Sequence, residues 1–189
     1  MKKIIKGDFE YLKHKKQRVI LLTIIYFAIS LGIILIGYIT TGTKRNLLTV
    51  VGILGCLPAC KSLVSMIMYI SAQGCSKGAY EAINAKLNGL LCMYDLYFTS
   101  LNKNYAISAM IVKDGRIIGY TEDPALDTKE CINHLMTMLK QAGISNSVVT
   151  ITDNLEKYLE MISNLAEESN ESDTSKDDSI RISLYEISL

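Results

Sequence analysis

The chain has 189 residues, 20 Lys/Arg against 19 Asp/Glu, and 49% hydrophobic residues, with a mean hydropathy of +0.23. That hydropathy is high for a purely water-soluble protein, and a net charge of +1 supplies no basic surface of the kind nucleic acid needs, so nucleic acid is not an expected partner. Five cysteines, an odd number without a C-x-x-C spacing, exclude a closed disulfide framework and read as reduced thiols.

The charge is unevenly spread. Residues 1–18 carry seven Lys/Arg against Asp8 and Glu10, whereas residues 167–179 carry six acids against Lys176. A basic leader fits a neighbouring anionic lipid leaflet. Within it, Ile4, Ile5, Phe9 and Leu12 are predicted to line one side of a short interfacial helix.

Residues 19–43 contain no charge, and residues 46–76 contain one, Lys61. About 20 apolar helical residues cross a hydrocarbon core of roughly 30 Å, so residues 19–70 are predicted to form two transmembrane helices joined by a short turn. The first run is too long for a signal-peptide core, and no small-residue cleavage site follows it. Only Lys44 and Arg45 lie between the runs, so the positive charge before the first one places both termini in the cytoplasm. The expectation is a multi-pass protein of the cell (inner or plasma) membrane. Absence of Trp with abundant Ile and Lys suggests an AT-rich bacterial genome. Small residues four apart, Ala28 with Gly32, Gly52 with Cys56 and Gly55 with Ala59, predict close helix packing within the hairpin or a homo-oligomer interface. Lys61 is a membrane site candidate. It either snorkels to the cytoplasmic headgroups or marks a small oligomeric pore or transport accessory.

The remaining residues, 76–189, predict a small cytoplasmic α/β (α+β) domain. A linking helix is expected over 77–90. Strands are expected over 91–99, 105–113 and 116–121, with Asp114-Gly115 as the hairpin turn between the last two. Asp127 or Thr128 caps the next helix, whose apolar stripe is Ile132, Leu135, Met136 and Leu139, and Gly143 ends it. A strand over 148–152 follows. Asp153 or Asn154 then caps a helix with Leu155, Tyr158, Leu159, Ile162 and Leu165 on one face. Residues 167–179 read as a disordered acidic loop. Ile180, Ile182 and Leu184 alternate with polar residues and predict a final strand. The expected order is α-βββ-α-β-α-β.

No phosphate-binding glycine loop, nucleophile elbow or H-E-x-x-H is present. The element order, with Asp95, Glu130 and Asp153 in its first strand, first helix and fourth strand end, is similar to that of ribonuclease-H-like folds. Enzymes of that family hold two divalent metals with carboxylates from those three places. The resemblance implies a membrane-tethered metal-dependent nuclease or phosphotransferase using a cation such as Mg. Leu96 stands where the family has a small residue, and no fourth acid is placed. The restriction-endonuclease order also fits, but its E-x-K is replaced by IIGYTED. The same acids have plain structural roles open to them: Asp153 as a cap, Glu130 in a first helical turn, Asp95 near a strand end. Asp127, Glu130 and His134 share a helix face, as a metal group or simply a solvated face. Beside a clear anchor, the lack of a catalytic set favours a binding or assembly module held at the membrane. It needs no cofactor, and its partner is another protein or a second copy.

Overall fold

A computed structural model describes residues 5–43, 46–100, 103–144, 147–167 and 174–189. The chain forms two compact units. One joins Met1–Tyr11 to Gln73–Leu189, and the other is Leu12–Ala72.

The second unit is a helical hairpin, α1 (Tyr11–Thr41) and α2 (Leu47–Ser71), each long and apolar enough to cross a membrane. Its seam is built from small and hydroxyl-bearing residues. Thr23 and Ser62 share a hydrogen bond of 2.7 Å between the helices. Gly52 leaves room for Ile34, and Gly55 for Ser30. The small residues of α2 are therefore used in packing the hairpin itself. Asn46 caps α2: its Oδ1 accepts from the Thr49 amide at 2.7 Å while its Nδ2 donates to the Gly37 carbonyl at 2.8 Å. One side chain thus satisfies an orphan amide of α2 and ties that end to the last turn of α1.

The first unit is a mixed four-stranded sheet, β1 (Cys92–Thr99), β2 (Asn104–Lys113), β3 (Arg116–Tyr120) and β4 (Val148–Thr152), in spatial order β1-β2-β3-β4. The first three strands are antiparallel, and β4 is parallel to β3. The β2–β3 turn has the expected two residues, Asp114 and Gly115, both with positive φ (52° and 72°), which matches the strand twist. Helices α4 (Thr128–Gln141) and α6 (Thr174–Ile187) cover one face around Ile107, Ile117, Leu135, Leu139, Ile180 and Leu184. Helices α3 (Lys77–Asn84) and α5 (Leu155–Glu167) cover the other around Ile83, Ile111, Tyr158 and Ile162.

Two expectations are corrected. The final strand is a helix. Ile180 and Leu184 are fully buried four residues apart, whereas Ile182 is 58% exposed, so the burial period is helical rather than alternating. The expected disordered loop also yields in part, since its residues from Thr174 onward lie in α6; residues 168–173 lie outside the described ones. The cause is a buried acid. Asp177 accepts the amides of Asp114 and Gly115 at 2.9 and 3.0 Å, and Arg181 donates to the Val112 carbonyl at 2.9 Å, so α6 is pinned to the β2–β3 turn.

The leader is not a separate interfacial helix either. Ile4 lies outside the described residues, but residues 5–10 run along β1. The Gly7 carbonyl accepts from the Tyr94 amide at 2.8 Å, and Lys6 Nζ donates to the Tyr185 and Ser188 carbonyls, each at 2.6 Å. Phe9 stacks on Tyr80 with ring centres 4.1 Å apart, and Leu12 is already in α1.

Candidate functional site

The carboxylates singled out in the sequence are held in three separate places. Asp95 is on β1 and Asp153 follows β4, at opposite edges of the sheet. Three strand intervals of about 4.8 Å set those edges about 14 Å apart, more than a single bridging cation spans. Glu130 is in the first turn of α4, where it accepts a hydrogen bond from Lys103 Nζ at 2.6 Å. Among the described residues no group of three His, Cys, Asp or Glu side chains is placed to hold a metal. Asp127 caps α4 by accepting from the Lys129 and Glu130 amides at 3.0 and 3.1 Å. His134, farther along the same helix, lies against the Tyr105 ring. Asn154, not Asp153, caps α5, accepting from the Lys157 amide at 3.1 Å.

Asp95 nevertheless occupies an unusual position. It is 3% exposed, within a strand, with a left-handed φ of 56°. Asp is one of the few non-glycine residues that tolerate this conformation. The register places it opposite Ser108, which is also buried. Side-chain alternation slips by one at this pair. Met93 and Leu96 both face the α4/α6 layer although three residues separate them, and so do Ile107 and Met110 on β2. The slip turns two polar residues inward where a regular ladder would place apolar ones.

These residues fasten the chain as it emerges from the hairpin. The Asp95 carboxylate accepts from the Cys75 amide at 2.7 Å. Glu122, just beyond β3, accepts from the Ser76 amide at 2.6 Å and from its hydroxyl at 2.7 Å. The Glu122 amide donates to Ser108 Oγ at 3.1 Å, which closes the group. A Cβ on Gly74 would lie 3.0 Å from Asp95 Oδ1, so any other residue there would press on the carboxylate. Burial, and then the charges of Glu122 and Asp95, push the Cys75 thiol up to about 12. It is therefore a poor nucleophile near neutral pH. Chemically the arrangement is a polar clasp that binds backbone amides. Sequence reasoning missed Glu122, Ser108 and Asp177; the run of Thr121, Glu122 and Asp123 directly after a buried strand was the available signal for the first.

Behind the clasp lies an aromatic cluster. Tyr80 meets Tyr94 edge-on at 5.0 Å, and Tyr120 stacks near Tyr158 at 5.6 Å. Among the described residues the buried hydroxyls of Tyr94 and Tyr158 find no oxygen or nitrogen partner and lie against the Cys92 thiol, a weak one. The Cys92 thiol beside them is pushed up to about 12 by burial.

Lys61 is exposed on α2. The Thr23–Ser62 contact sets the level of the two helices, and Lys16 Nζ donating to the Ile70 carbonyl at 3.3 Å agrees with it. Arg18 is then level with residue 67, so Lys61 lies about 9 Å farther along the hairpin, six residues at about 1.5 Å each. Much of that distance is spanned by a lysine's own stem.

No protein-family model, no curated protein and no solved structure matches this chain. It is defined by its own architecture, two long apolar helices followed by a small mixed sheet with helices.

Proposed function

We propose that the chain is a multi-pass protein of a bacterial inner membrane, with cytoplasmic termini and an α+β unit that serves as a membrane-held binding or assembly module. The observation that carries this is the surface of the hairpin. Leu21, Leu31, Leu35, Ile39, Ile53 and Leu57 all point outward, an arrangement water disfavours and lipid tails accept. The role of the acids supports a module over a phosphodiester enzyme. Asp95, Asp127 and Asp177 bind backbone amides and Glu130 binds a lysine, each a structural task. Lys61 fits a snorkelling residue, because it lies on the side of the hairpin that carries the leader charges.

The test has two parts. The chain should stay in the membrane pellet after alkaline carbonate extraction, and external labelling of intact cells should miss Glu81→Cys, an exposed position that should react once the cells are opened. Release from the pellet would remove the anchor, and labelling would reverse the orientation. Asp95→Asn and Lys61→Met should both keep membrane abundance and phenotype. Loss of phenotype with abundance intact in the Asp95 variant would favour the metal enzyme, and in the Lys61 variant a pore.

A further inference from the structure

The two edges of the sheet are treated differently. Along β1 the Tyr94 amide is taken by Gly7, the Tyr97 carbonyl accepts from the Leu189 amide at 2.7 Å, and Phe98 bridges to Ser188. Along β4, no described residue outside the sheet takes up the outward amides and carbonyls of Val149 and Ile151. Which residues those are follows from the ladder. The Val148 amide donates to the Gly115 carbonyl, and the Thr152 carbonyl accepts from the Thr121 amide, each at 3.1 Å. Residues 148, 150 and 152 therefore aim their backbone groups at β3, and Val149 and Ile151 aim theirs away.

The β4 edge lacks the features that usually keep such edges apart. The strand is VVTIT, with no charge, proline or positive φ, and Val148 and Thr150 have exposed side chains. Edges of this kind are pairing templates.

We propose that β4 pairs antiparallel with β4 of a second copy, on a two-fold axis through Thr150, giving a continuous eight-stranded sheet. The two outward residues match each other under that axis. Val149 exchanges both backbone hydrogen bonds with Ile151 of the other copy, and Ile151 does the same with Val149. Thr150 faces its own symmetry mate as a non-hydrogen-bonded pair, with Cα atoms about 4.5 Å apart. Val148 faces Thr152, and Ser147 faces Asp153, so no like charges meet. A five-residue strand pair falls short of the roughly 1,200 Å² buried by stable soluble interfaces. Confinement of both copies to one bilayer raises their effective concentration and makes up the difference. The proposal thus deepens the assembly reading by naming the partner and the surface.

Disulfide trapping in native membranes tests it, with the full chain and its five cysteines changed to alanine. Thr150→Cys should give a dimer under mild oxidation. Val148→Cys alone should not, because its mate is four residues away, whereas a mixture of Val148→Cys and Thr152→Cys chains should. Adding Thr150→Lys to both chains of that mixture should lower the yield at least tenfold, and Lys on one with Glu on the other should restore it. Repeating Thr150→Cys with the native cysteines kept, against the wild-type background band, guards against misfolding of the alanine chain. Equal trapping by Val148→Cys and Thr150→Cys, or none by either, would overturn the proposal. A monomer that stays in the membrane pellet would sink the edge pairing alone, and a soluble chain would sink the anchor.

Discussion

The two units are built inside out relative to one another. In the hairpin, the buried positions include Thr23, Ser30 and Gly37, while Leu, Ile and Val side chains face outward. In the α+β unit, Ile107, Met110, Ile117, Leu135 and Ile162 are sealed inside, and charged side chains such as Lys77 and Glu81 lie outside. Helices that associate in lipid gain little by burying leucine and more by close backbone approach and interhelical hydrogen bonds. A domain in water gains by the opposite choice. The contrast is what the proposed division of the chain between lipid and water calls for.

The sharpest way to break this comparison is to disturb the few polar groups each unit buries. Asp177→Ala leaves two backbone amides without an acceptor, at about 2 kcal/mol each, so the unit should lose about 4 kcal/mol in denaturant unfolding followed by tyrosine fluorescence. A loss below 1 kcal/mol would show that α6 is not held by this acid. On the hairpin, Leu31→Asp should disfavour helix insertion by about 3 kcal/mol in a translocon assay. Unchanged insertion would mean that the exposed face does not meet lipid. Tyr158→Phe removes a buried hydroxyl whose one polar neighbour among the described residues is the weakly bonding Cys92 thiol, so stability should change by less than about 1 kcal/mol. A larger fall in thermal midpoint would show that the thiol contact holds the cluster. At the small end, Glu130→Gln breaks an exposed pair with Lys103 and should leave the unfolding curve superimposable on wild type. A clear shift would mark Glu130 as more than a surface residue.

Much of this organisation was legible in the sequence, for reasons that can be stated. The hairpin helices, the Asp114-Gly115 turn and the stripes of α4 and α5 rest on local periodicity, and they stand where expected, except that α1 begins at Tyr11, eight residues before its uncharged run. The linking helix ends at Asn84, earlier than expected, with Asn88 and Gly89 beyond it in positive φ. What was not legible depends on contacts distant in the chain. Residues 180–185 alternate well enough to pass for a strand, and the helix they join is pinned by the docking of Asp177 on a turn 62 residues away in sequence. The element order suggested three converging carboxylates, but order says nothing of which strands are neighbours. The placement of β4 beside β3 separates Asp95 from Asp153. The clasp around Asp95 was hidden for the same reason, since its members come from residues 74–76, β1, β2 and the end of β3.

The pairing of Gly7 with Tyr94 makes the α+β unit discontinuous along the chain, with the hairpin as an insertion inside it. The unit cannot close its β1 edge until the inserted helices have been made and have brought the chain back. Once closed, the contacts of residues 5–10 with β1 and α6 tie both ends of the insertion to the α+β unit. A protease nick between Thr43 and Asn46 should therefore leave two fragments that migrate together until the α+β unit is denatured.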